Sequence, residues 1–98
     1  MLADFDEMQK KFLFDSARRY IWWKTPEEAL AYPQRILAQV MNIGVLEDMG
    51  KLLDFFPPEP LIEILNSAEA GQFNERSWCF WHNKFSLETP PMPRRKFS

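Results

Sequence analysis

Apolar positions recur at helical spacing along most of this chain, most densely between Pro33 and Phe56. Ile36, Leu37, Val40, Met41 and Ile43 form one stripe and Gly44 interrupts it. Leu46, Met49, Leu53 and Phe56 then form a second stripe, widened by Val45 and Leu52. Recurrence at i, i+3, i+4 and i+7 gathers such residues on one side of an α-helix. The pattern predicts two helices that fold back at Gly44 with their stripes facing each other, a hairpin that needs other elements to cover it.

The flanking segments supply those elements. Asp4-Phe5-Asp6-Glu7 has the form of a capping box, with Phe5, Met8 and Phe12 on one face of a short opening helix. Asp15-Ser16 reads as a fresh cap before a short helical or irregular piece, ARRYIWW. Thr25-Pro26-Glu27-Glu28 is the clearest start signal: Thr25 caps, Pro26 takes the first helical position, and Glu28 closes the box. That helix is brief, because Tyr32 precedes Pro33 and is pushed out of the α region. Pro33 opens the next helix, and Glu47 and Asp48 suit the positive end of the one after Gly44. Phe56-Pro57-Pro58-Glu59-Pro60 ends it and begins another, whose apolar face is Leu61, Ile62, Ile64, Leu65 and Ala68, with Gly71 as its expected C-cap. Asn74 caps the last helix, Phe73 and Trp78 have the spacing of a hydrophobic staple, and Trp78, Trp81 and Phe85 share one stripe. From Ser86 the pattern dissolves into a Pro-rich run ending in Arg94-Arg95-Lys96, expected to be mobile or extended. No segment alternates at period two for long enough to be a strand. The expected fold is all-α: a compact irregular bundle of five or six short helices over 1–85, with a Pro-rich basic tail over 86–98.

Composition sharpens this picture. The chain has 98 residues, 46% of them apolar and 15% aromatic, including nine Phe and four Trp. Rings that each remove about 150–250 Å² from water cannot all be hidden by so few short helices, so an exposed aromatic patch is expected, and such patches mark partner surfaces. The net charge of −2 lacks the positive excess of a phosphate-binding protein. A single cysteine, Cys79, allows no internal disulfide and suits a reducing cytoplasm. No apolar run has membrane-spanning length, and the acidic start is unlike a secretion signal. The expected location is therefore cytoplasmic.

Little here points to catalysis. Cys79 and His82 share a helix face at i and i+3, but zinc needs three or four ligands and no second Cys or His exists. Their better reading is a small hydrophobe and a hydrogen-bonded helix residue. The carboxylate pairs Glu27-Glu28, Glu47-Asp48 and Glu59/Glu63 are explained by helix starts, and the three glycines are isolated, so no phosphate loop exists. No cofactor, metal or catalytic residue is expected. Interface anchors are better represented. Trp22 and Trp23 are adjacent, and neighbours on a helix differ by about 100° in direction, so both cannot enter one core. Arg18 and Arg19 stand beside them, and Trp with Arg is the composition of binding hot spots. Trp78 and Trp81 are further anchor candidates. Arg94, Arg95 and Lys96 are candidates for nucleic-acid contact in the alternative reading, a small helical DNA- or RNA-binding regulator.

FLFD at 12–15, the helix ending in Gly44, LEDMGKLLDFF at 46–56, LIEIL at 61–65 and RSWCFWHNKF at 76–85 together resemble a family of small uncharacterised bacterial proteins. Members are often encoded beside AbiEii-type nucleotidyltransferase toxins, which implies an antitoxin-like or accessory role. The chain departs from the family in Pro33, in Met49 where an aromatic is common, and in its basic tail. The family brings no catalytic residues. The resemblance implies a nucleotidyltransferase toxin as the protein partner; a homodimer is the remaining expectation.

Overall fold

A computed structural model describes residues 5–93, which form six helices. They are α1 (Glu7–Tyr20), α2 (Pro26–Leu30), α3 (Pro33–Ile43), α4 (Leu46–Phe55), α5 (Pro58–Asn66) and α6 (Glu75–Lys84). Among the described residues there is no strand, and the expected all-α bundle is the observed architecture. Among the described residues no helix is long and apolar enough to cross a membrane. Arg94, Arg95 and Lys96 lie outside the described residues.

Helix α3 is the axis of the bundle and packs against all five others. Ile36, Leu37, Ala38, Val40 and Met41 are buried on it, far more of its circumference than a surface helix would cover. Its closest partner is α1, not α4. The opening segment differs from expectation in being one continuous helix. Its cap is Asp6, which accepts from the amide of Gln9 while the Gln9 side chain accepts from the amide of Asp6. Asp15-Ser16 does not interrupt it. Asp15 instead pairs with Lys11 one turn earlier at 3.2 Å, and Ser16 turns inward with Phe12, Leu13, Ala17 and Tyr20. The small side chains of Ser16 and Ala17 leave room for close helix packing.

Helix α4 is rotated relative to the stripe that its sequence suggests. Asp48, Leu52 and Phe56 are buried, whereas Met49 and Leu53 lie at the flank and Leu46 is 84% exposed. Helix α5 stops at Asn66 with Ser67 as its C-cap, so Gly71 is no helix cap; at φ 81° it makes the turn towards α6. Asn74 caps α6 by accepting from the amide of Ser77, and the Phe73 and Trp78 rings of the staple meet at 5.9 Å. The indole of Trp81 donates to the Met41 carbonyl at 2.7 Å, satisfying an acceptor in the last turn of α3. At the end of α6 the amides of Ser86 and Leu87 donate to the carbonyls of Asn83 and His82, a Schellman closure that holds Ser86 at φ 58°. The following segment is extended and is held in place. Leu87 and Met92 pack on the core, and the Trp78 indole donates to the Pro90 carbonyl at 2.8 Å.

Candidate protein-docking surface

The corner between α1 and α2 carries the most exposed aromatic pair. Helix α1 ends at Tyr20 because Ile21 leaves the helical region at φ −128°, ψ 55°, its amide still donating to the Ala17 carbonyl. Ile21 itself is buried and pins the chain. The Lys24 amide then donates back to the Ile21 carbonyl at 3.2 Å, and Thr25 starts α2 with a complete capping box. Trp22 and Trp23 are thus carried outward between two fixed points, 77% and 56% exposed. They pack on each other edge to face, with ring centres 5.7 Å apart and planes at 88°. Lys24 reaches the ring of Tyr32, 6.0 Å from its centre, and Arg35 covers the same ring at 5.3 Å. Tyr32 is exposed as well, so cations and aromatic faces alternate over this end of the molecule.

A hydrogen-bonded cluster around the buried Asp48 fixes that corner. The Tyr20 hydroxyl donates to Asp48 Oδ2 at 2.5 Å and accepts from the Val45 amide at 3.1 Å, while Arg19 donates to the same carboxylate oxygen at 2.6 Å. Burial pushes the Asp48 carboxyl up, but the hydrogen bonds from Tyr20 and Arg19 and the Arg19 charge outweigh it and hold the group below its ordinary value. Burial, then the bond to Asp48, raises the Tyr20 phenol. Arg19, expected at the partner surface, therefore serves first as a clamp between α1 and α4. Arg18 on the same turn is exposed and has no carboxylate partner among the described residues.

Trp78 and Trp81, also expected as interface anchors, lie in the core at 4% and 0% exposure. Both indole N–H groups are consumed internally, by Pro90 and Met41, and Trp81 stacks on Phe85. A stripe that faces α3 across the bundle is not available to a partner. His82 is buried too, its Nδ1 donating to the Trp78 carbonyl at 2.7 Å, and its ring lies against Trp78. No group of three potential metal ligands occurs among the described residues.

The structure also exposes Ile43, Val45 and Leu46, which the apolar stripes placed inside. Ile43 and Leu46, with the exposed Phe80, line an open groove of about 500 Å³ between the α3–α4 corner and the start of α6. Asn42 braces its floor, accepting from the Asn74 amide and, through its own carbonyl, from the Ser77 hydroxyl. The sequence signal was the position of Ile43 and Leu46 at helix ends, where a stripe runs past the elements that cover it. Comparison with protein-family models, curated proteins and solved structures found no match to this chain.

Proposed function

We propose that this chain is a non-enzymatic docking module that binds another protein through the Trp22–Trp23 corner. The observation that carries the reading is the exposure of two adjacent indoles on a corner anchored at both sides by Ile21 and Thr25. Large aromatic anchors held on a rigid backbone lose little conformational freedom on binding, which is why they dominate interface energetics. The core placement of His82 and Trp81 supports a structural use for the sequence's other chemistry-bearing helix. The partner class comes from the sequence resemblance: an AbiEii-type nucleotidyltransferase, whose active site or substrate access the module would block.

The reading is tested by co-expressing the chain with such a nucleotidyltransferase from the same genome. A joint size-exclusion peak is expected, and Trp22→Ala/Trp23→Ala should weaken the complex by at least about tenfold, the scale of a hot-spot loss. Separate elution at micromolar concentration overturns the proposal.

A further inference from the structure

Nine Lys and Arg residues fall within the described chain, and their partners divide them by location. Lys10, Lys11, Arg19 and Lys51 each stand within 4.0 Å of a carboxylate. Arg18, Lys24 and Arg35 have no such partner among the described residues, and they sit at the end of α1, in the α1–α2 corner and at the start of α3. The other two, Arg76 and Lys84, also lack such a partner among the described residues and are spread along α6. A chain whose net charge is −2 thus carries three cations without a close ion pair on the elements that flank its two exposed indoles, Lys24 being offset in part by Glu28. Lys24 and Arg35 both hold to the Tyr32 ring, so their charges are positioned and still open to a partner.

From this juxtaposition we infer that the Trp22–Trp23 surface accepts an acidic, aromatic- or leucine-bearing protein segment, whose carboxylates meet Lys24, Arg35 and Arg18 while its apolar side chains cover the indoles. The inference rests on the docking reading above and names the chemistry of what docks. The surroundings select a segment over a broad anionic surface. Exposed Glu27 and Glu28 lie on α2 next to the corner, and Glu28 is held ionised by the Thr25 amide and hydroxyl. A flat sheet of negative charge would press on both within a Debye length of about 8 Å. A narrow segment along the Lys24–Tyr32–Arg35 row faces Glu28 alone, a charge that Lys24 offsets. Arrangements of this kind fix orientation and association rate, and they weaken with salt.

The test uses the full chain and two fluorescein-labelled peptides, one of repeated Glu-Asp-Phe-Gly and one with Lys-Lys in place of Glu-Asp. Fluorescence anisotropy is expected to show binding of the acidic peptide alone, with tryptophan emission changing on saturation. Affinity should fall at least about tenfold between about 50 and about 300 mM salt. Lys24→Glu/Arg35→Glu should lose binding to a similar degree while its melting temperature is unchanged. Equal binding of both peptides, or an unaffected charge-reversed variant, overturns the inference. So does co-sedimentation with phosphatidylserine vesicles, or retention of single-stranded DNA, tighter than the acidic peptide. The two readings fail separately: a nucleotidyltransferase complex that withstands charge reversal and salt but not Trp22→Ala/Trp23→Ala removes the acidic segment and keeps the docking corner, whereas separate elution removes the corner itself.

Discussion

Asp48 is the residue on which most of the local geometry turns. It sits in the first turn of α4, where a carboxylate is favoured by the helix dipole alone, and the sequence offers that explanation as sufficient. The structure assigns it more, because one oxygen takes hydrogen bonds from both Tyr20 and Arg19 and joins the end of α1 to the start of α4. The folded state lowers its pKa, so its contribution is fully present above the unfolded carboxyl value of about 4 and is lost as pH falls through the lower folded value. The Tyr20 phenol is raised, so its contribution holds below about pH 10 and is lost as pH rises through the folded value. Asp48→Asn is expected to cost about 1–3 kcal/mol at neutral pH, since it leaves Tyr20 and Arg19 without a charged acceptor. Denaturant unfolding at neutral pH and near pH 3 checks this. The gap between wild type and variant should narrow in acid, and parallel loss in both would show that another group governs the acid limb.

At the scale of elements, two glycines on either side of the α3–α4 corner have opposite meanings. A Cβ on Gly44 would stand 2.4 Å from the Val40 carbonyl oxygen and 3.0 Å from Val40 Cγ1, so the corner closes only where that atom is missing. Gly50 in α4 is exposed, with open space around the position of a Cβ. Gly50→Ala is expected to stabilise by about 1 kcal/mol, a rise of roughly 4–8 °C in melting temperature for a domain of this size. Gly44→Ala should instead destabilise by about 1–3 kcal/mol through overpacking. Thermal melts of the two variants decide, and a Gly44→Ala protein as stable as wild type would contradict the packing argument. Helix starts at Thr25, Pro33 and Asn74 and the stop at Gly44 were legible in the sequence, because capping is settled within four residues. The continuity of α1 across Asp15-Ser16 was not. There a local cap signal competed with an inward face that only α3 could reward.

For the molecule as a whole, the four tryptophans fall into two classes. Trp22 and Trp23 are open to solvent and Trp78 and Trp81 are enclosed. Collisional quenchers should therefore reach one part of the fluorescence and not the other, and Trp22→Ala/Trp23→Ala should remove the quenchable part. That double substitution is expected to change stability by no more than about 0.5 kcal/mol per site, whereas Trp81→Ala should cost about 3–5 kcal/mol. A large loss from the corner pair, measured by chemical unfolding, would mean that those indoles are structural.

The all-helical class, the axial role of the segment after Pro33 and the excess of aromatic surface all follow from apolar spacing, caps and prolines, since each acts over one or two turns. Helical geometry at Trp22 and Trp23 anticipated one exposed indole; the structure places both in a turn after α1 and exposes both. Which rings face outward was settled by packing. Trp78 and Trp81 are enclosed because α6 lies against α3, and Leu46 is exposed because Tyr20 and Arg19 draw Asp48 inward and turn α4 with it. A helix stripe carries no record of which neighbour will cover it, and a carboxylate at a helix start carries none of the hydroxyl that will reach it from another helix.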